Sequence, residues 1–157
     1  MNMKRRTFLK GTLAGSLVGI AAGAGMLRPS AVLAEAWPKQ AFDAKTMDEA
    51  MKALYGGEAP AESHEIEIKA PQIAENGAVV PVTVSTTLKD VDQISIIAKE
   101  NPSPLTSSFI LANNTEPYVA TRIKMGKTSD VVAVVKSGGK LFSASKEVKV
   151  TIGGCGG

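Results

Sequence analysis

The sequence predicts an all-β protein: an immunoglobulin-like antiparallel β-sandwich of about seven strands, with one short N-terminal helix and a flexible C-terminal glycine arm. Three observations carry that reading. From His64 onward apolar residues alternate with charged ones, as with Ile66 and Ile68 between Glu65, Glu67 and Lys69, which is the period of a half-buried strand. Turn signals such as Asn76-Gly77, Asn101-Pro102-Ser103-Pro104 and Ser137-Gly138-Gly139 recur about every ten residues. Beyond the first 36 residues, only one short stretch has helical spacing.

The chain opens with Lys4-Arg5-Arg6-Thr7-Phe8-Leu9-Lys10 and an apolar run from Gly11 to Leu27. Five glycines in that run weaken it below the twenty or so strongly apolar residues that a membrane span needs. Small-residue cleavage sites follow Ala34 and Ala36, so residues 1–36 read as a removable export signal. Arg5 and Arg6 followed by Phe-Leu-Lys resemble a twin-arginine signal, with Lys4 where Ser or Thr is usual. That resemblance implies passage in the folded state to a periplasm, with no stable membrane association.

Residues 37–63 read as an irregular lead-in (37–42), a short helix and a linker. Thr46 and Glu49 have capping-box spacing; Ala50, Met51 and Leu54 follow at helical intervals, and Gly56-Gly57 stops the element. Met47 and Met51 fall on the apolar face, where core packing is their expected use. The sandwich spans 64–152. After the strand at Ile66–Ile68 come Val80–Val84, with Pro81 pointing to an edge or a bulge, then Val91–Ala98, Leu105–Ala112, Tyr118–Met125, Asp130–Lys136 and Lys140–Ile152. The Cys-Trp-Cys core of antibody domains is absent, which leaves the strand order open.

Charge and composition exclude several functions. The chain has 18 basic and 15 acidic residues, but five of the basic ones lie in the first 34 residues, which contain no Asp or Glu. Without them, 13 basic residues face 15 acidic ones, a net charge of −2. A basic footprint for nucleic acid is therefore missing. One His and one Cys are too few for a typical zinc or haem site. His64 is expected to be exposed, and Glu62, Glu65 and Glu67 to form a solvated strand face. No nucleophile–base constellation is recognisable, so the chain does not read as an enzyme.

The last five residues, 153–157, are Gly153-Gly154-Cys155-Gly156-Gly157. Four glycines add nothing to a core and lose the most backbone entropy on ordering, which predicts a slender arm. At about 3.5 Å per residue, Cys155 reaches roughly 10 Å past the last strand. A sole cysteine in an exported protein signals intermolecular pairing or a reactive thiol. With no neighbour to lower its pKa, this thiol depends on a partner's site for activation.

This ending resembles the SoxY family of periplasmic thiosulfate oxidation. So do the leader, the capped helix, Asn101-Pro102-Ser103-Pro104-Leu105, Arg122-Ile123-Lys124-Met125 and Glu147 to Gly157. The resemblance implies a non-catalytic carrier without a cofactor of its own. Cys155 would hold a sulfur or thiosulfate adduct, and Gly153, Gly154, Gly156 and Gly157 would form the carrier arm. It further implies a heterodimer with a SoxZ-like sandwich subunit lacking an export signal. A haem enzyme would join thiosulfate to Cys155, and a manganese-dependent thiosulfohydrolase would release sulfate. A molybdenum–haem sulfane dehydrogenase would oxidise the remaining sulfur.

Two other functions stay open on the residues alone. One is an exported thiol protein that forms intermolecular disulfides. The other is a ubiquitin-like carrier that holds sulfur as a thiocarboxylate on Gly156-Gly157, although that chemistry needs adenylation, for which the periplasm holds no ATP pool. Lipidation at a C-terminal cysteine box fails because only two residues follow Cys155.

Overall fold

The computed structural model describes residues 37–151. The leader with Arg5 and Arg6, and the tail with Gly153, Gly154, Cys155, Gly156 and Gly157, lie outside the described residues. Two short helices come first, α1 (Lys39–Asp43) and α2 (Met47–Tyr55). Nine strands follow among the described residues: β1 (Ala61–Glu62), β2 (Ile66–Lys69), β3 (Ile73–Ala74), β4 (Val80–Thr86), β5 (Val91–Ala98), β6 (Leu105–Ile110), β7 (Tyr118–Ile123), β8 (Ser129–Ser137) and β9 (Lys140–Val150). The larger sheet has the order β1-β9-β8-β5-β6, with β3 also on β9, and the smaller has the order β2-β4-β7. The all-β sandwich is thus present, with two strands more than the sequence announced. β1 and β3 are two residues long and run parallel to β9. Two residues cannot display a period, and β1 falls in the stretch expected to be a linker.

The helical region also departs from expectation. Residues 37–42 were expected to be irregular, yet α1 starts at Lys39. It has no side-chain N-cap bond, and burial of Ala41 beside Ala44, Ala50 and Met51 supplies what its five residues cannot supply alone. α2 forms as its caps dictate. The Thr46 hydroxyl accepts the Glu49 amide at 3.2 Å, and the Glu49 carboxylate reaches back to the Lys45 amide at 2.9 Å. Its C-terminus closes where the Gly56 amide bonds the Lys52 carbonyl at 3.0 Å.

Two cores share the larger sheet. On one face Ile94, Ile96, Val131, Val135 and Val148 meet Ile66, Ile68, Val82, Val84 and Ile123 of the smaller sheet. On the other, Ile97, Leu105, Val132, Val134 and Leu141 pack under the helix pair. The protein is therefore three layers deep, and β5 and β8 are buried on both faces. Their runs Ile94–Ala98 and Val131–Val135 are continuously buried for that reason, with Ser95 the one polar residue among them. Each such Val or Ile stabilises the fold by about 1.5–3 kcal/mol relative to exposure. No helix among the described residues is long and apolar enough to cross a membrane.

Pro81 obeys the rule for proline in strands without lying on an edge strand. β4 is the central strand of its sheet. The Thr86 amide bonds Pro117 on the β7 side and the Thr87 amide bonds Glu65 on the β2 side, so odd-numbered amides face β2. β2 stops at Lys69, opposite Thr83. The donor that Pro81 lacks falls on a side where no strand remains to receive it.

The β8–β9 hairpin turns through Gly138 and Gly139, both at positive φ (54° and 76°), as a two-residue turn between the paired Ser137 and Lys140 requires. At the other end of the sandwich Asn76 Oδ1 accepts the Ala78 amide at 2.9 Å, and the turn presses Gly77 against its neighbours. A Cβ at Gly77 would stand 2.4 Å from the Met125 carbonyl oxygen and 2.8 Å from a Val150 methyl. A chain of hydroxyls ties the second core together. Gln93 Nε2 donates to Ser108 Oγ at 2.7 Å, Ser108 Oγ lies 2.9 Å from Ser95 Oγ, and Ser95 Oγ lies 2.8 Å from the Tyr55 hydroxyl. Burial raises the Tyr55 pKa above 10.0, and the Ser95 bond partly offsets this.

Gly77→Ala should lower the unfolding free energy by about 1–3 kcal/mol, as overpacked sites do; an unshifted urea midpoint would contradict the close approach. For Tyr55, the raised pKa means the folded state holds its proton more tightly. Its contribution is complete below the unfolded value near pH 10 and declines as pH rises towards the folded value. Tyr55→Phe should cost about 1 kcal/mol at neutral pH and flatten the alkaline fall in stability, read from melts between about pH 8 and 11. A variant whose alkaline profile matches the parent's would count against this account.

Candidate functional site

The described chain ends at Thr151, four residues before the sole cysteine, so the structural question is how the sandwich holds the root of the tail. β9 is an inner strand of the larger sheet, with β8 along one side and the two short strands on the other. Its last residues are fixed by alternating bonds. The Lys149 amide bonds the Gln72 carbonyl at 2.9 Å, and the Thr151 amide bonds the Ala74 carbonyl at 3.2 Å. Between them the Val150 amide points the other way, where the ladder with β8 has ended at Ser129–Val148. There the Thr128 hydroxyl accepts it at 3.0 Å.

The loops around this root are clipped to one another. The Asn101 side chain donates from Nδ2 to the Lys124 carbonyl at 2.6 Å, and its Oδ1 accepts the Gly126 amide at 3.0 Å. The Met125 amide bonds the Gly77 carbonyl at 2.7 Å, and Met125 itself is buried. Pro104 brings the 99–104 loop back to the sheet, its carbonyl accepting the Ala98 amide at 2.8 Å. Lys127 pairs with Glu100 at 3.1 Å and Lys99 with Asp130 at 3.5 Å. These pairs are exposed and add little beyond the loop contacts. Ile73, which pairs with Lys149, and Val79, on the β3–β4 connection, have exposed side chains.

The expected attachment residue Cys155, the arm residues Gly153, Gly154, Gly156 and Gly157, and the signal residues Arg5 and Arg6 lie outside the described residues, so the structure locates the anchor of the arm and not the arm. His64 is exposed in the turn before β2, at the end of the sandwich away from Thr151, since β2 begins opposite Thr86. Glu62, Glu65 and Glu67 are exposed as expected. Met51 is buried and Met47 packs against the second core. Among the described residues no group of three or more His, Cys, Asp or Glu side chains is placed to hold a metal ion.

Sequence reasoning missed the residues that fix the root: Asn101, Thr128, Gly77 and the two-residue strand at Ile73–Ala74. Asn76-Gly77 was legible as a turn, but not as a close approach to Val150. Asn101 stood out only as part of a turn signal and a family-like stretch, because its side-chain partners are more than twenty residues away.

The comparisons with known proteins agree with this geometry. The family model described as "Sulfur oxidation protein SoxY" matches residues 51–155, from within α2 to the cysteine. The structure of the sulfur carrier protein SoxY from Chlorobium limicola f thiosulfatophilum is 46% identical in sequence. The match covers 73% of this chain and 99% of that one, with a TM-score of 0.63. A superoxide reductase (neelaredoxin) from Ignicoccus hospitalis matches at 21% identity over 56% of this chain and 81% of its own, with a TM-score of 0.50; this likeness concerns the fold alone. No curated protein matches the chain significantly. The family match ends on the cysteine that follows the anchored strand, and a SoxY structure nearly half identical in sequence shares the fold: this chain belongs to the SoxY family.

Proposed function

We propose that the protein is a covalent carrier of sulfur intermediates in periplasmic thiosulfate oxidation, with Cys155 as the attachment site. The observation that carries this reading is the family match, which runs to residue 155 and therefore includes the chain's only cysteine. The similar SoxY structure, described as a sulfur carrier protein, supports the same role.

In this reading the sandwich performs no chemistry. A haem enzyme couples thiosulfate to the Cys155 thiol, forming an S–S bond and taking up the electrons. The product is a cysteine S-thiosulfonate. A thiosulfohydrolase then adds water to the terminal sulfonate and releases sulfate, leaving sulfane sulfur on the cysteine for a sulfane dehydrogenase. Gly153, Gly154, Gly156 and Gly157 keep the tether free of side chains, so the adduct can enter a narrow active site. The fixed end of β9 confines the thiol to a short radius about Thr151. Arg5 and Arg6 direct export by the twin-arginine route. A SoxZ-like subunit forms the other half of a heterodimer and travels with this chain.

Three measurements test the proposal. Cys155→Ser should leave the melting temperature unchanged while abolishing thiosulfate-dependent sulfate production in a reconstituted system; retained turnover would refute the carrier role. In periplasmic protein from cells grown on thiosulfate, intact mass spectrometry should find sulfur or thiosulfonate adducts on the C-terminal peptide. Finding that peptide unmodified would be equally damaging. Gly154→Val should spare stability yet slow loading, because a β-branched residue stiffens and widens the tether; equal loading rates would remove the slender-arm argument.

A further inference from the structure

Asn76-Gly77 is the one Asn-Gly pair in the chain, and it stands where the end of β9 is braced. Asparagine before glycine is chemically labile. The glycine nitrogen, which no Cβ shields, can attack the carbonyl carbon of the asparagine side chain. A carbon–nitrogen bond forms, the side-chain nitrogen leaves as ammonia with the proton of the glycine N–H, and a five-membered succinimide remains. Water then opens the ring. Addition at the side-chain carbonyl gives aspartate; addition at the backbone carbonyl gives isoaspartate, whose main chain is one carbon longer. Neither an oxidant nor an enzyme is required. The other described asparagines lack this pairing. Asn101 precedes Pro102, whose nitrogen carries no proton, and Asn113 and Asn114 precede residues with a Cβ.

The fold both keeps this pair and restrains it. Gly77 cannot give way to a larger residue without strain, because a Cβ there would stand 2.4 Å from the Met125 carbonyl oxygen. Asn76 is open to water, but three bonds hold its turn. Its Oδ1 accepts the Ala78 amide at 2.9 Å, its backbone carbonyl accepts the Val79 amide at 3.4 Å, and the Gly77 carbonyl accepts the Met125 amide at 2.7 Å. The succinimide needs the Gly77 nitrogen eclipsed with the Asn76 Cβ, a backbone orientation outside the β and α regions. To reach it the Asn76–Gly77 peptide must swing, which breaks the Val79 and Met125 bonds. Met125 cannot follow that swing. It is buried, and Asn101 grips the Lys124 carbonyl and the Gly126 amide on either side of it at 2.6 and 3.0 Å.

We propose that Asn76 is a deamidation site controlled by the bracing around Thr151. It is protected while the 76–79 turn is clipped to Met125, reactive when that clip opens, and irreversibly altered once isoaspartate forms. The added main-chain carbon displaces Gly77 from Met125 and from Val150, the two neighbours it presses against. It also disturbs nearby Ala74, whose carbonyl holds the Thr151 amide at 3.2 Å. The modified protein therefore keeps its sandwich but loses the firm hold on the end of β9, whatever Cys155 carries.

Ageing the purified protein in mildly alkaline buffer, with peptide mapping of aspartate and isoaspartate at position 76, tests this. When opening is fast relative to the chemistry, the rate follows the open population. Deamidation should then be at least about tenfold slower in buffer than in the same protein unfolded in urea. Asn101→Ala, which releases Lys124 and Gly126, should raise the rate in buffer at least about threefold. Protein separated in its isoaspartate form should exchange the Thr151 amide faster than the parent. Equal rates in buffer and urea, or an Asn101→Ala rate equal to the parent's, overturn the protection. A faster rate in buffer than in urea gives the turn an activating role and also overturns it, and no reaction in urea removes the site. Unchanged Thr151 exchange in the modified protein refutes the link to β9. Should Asn101→Ala fail to fold, the comparison of buffer with urea still decides.

Discussion

Burial of β5 and β8 on both faces is the constraint from which the rest of the structure follows. A strand that is apolar on both sides cannot face water on either, so the larger sheet needs a cover on each. The smaller sheet supplies one cover through Ile66, Val82, Val84 and Ile123, and the helix pair supplies the other through Ala41, Ala50 and Met51. α1 exists for this reason, despite having too few residues to persist alone. The buried Tyr55–Ser95–Ser108–Gln93 chain then gives the helix pair a directional link to the sheet, which apolar contacts lack.

That arrangement also places the functional end. β9 is held against β8 from Lys140 to Val148, and β8 is locked between the two cores. The amides of Lys149, Val150 and Thr151 are taken in turn by Gln72, Thr128 and Ala74. The loops at 76–79, 99–104 and 124–128 are mutually clipped by Asn101 and Gly77, which braces the root of the tail. A carrier needs this contrast between a fixed root and a tether without side chains.

Much of this was legible in the sequence because it depends on neighbours in the chain. The period-two strands at 66–69 and 80–84, the Gly138-Gly139 hairpin and the Thr46 cap all carry local signals. The largely apolar runs at Ile94–Ala98 and Val131–Val135 were legible as strands, but their second covering layer was not, since burial on both faces depends on what packs from elsewhere. β1 and β3 exist through pairing with β9, eighty-one and seventy-six residues later, and no local pattern encodes that. Pro81 illustrates the limit well: the residue marks a missing ladder bond, but only the register against β2 shows why a central strand tolerates it. For the candidate site, the sequence pointed directly to Cys155 and its glycines, whereas Asn101 and Thr128 act over distances that spacing does not reveal.

The pairing of β9 has a mechanical consequence. In the proposed carrier role, a pull on Cys155 directed along β9 would load the β8–β9 hydrogen bonds in shear, all at once. Peeling, in which bonds fail one after another, would require force across the sheet, and the short parallel segments at both ends of β9 oppose that on the other flank. A sandwich held in this way would withstand repeated tugs on its C-terminal strand without unravelling.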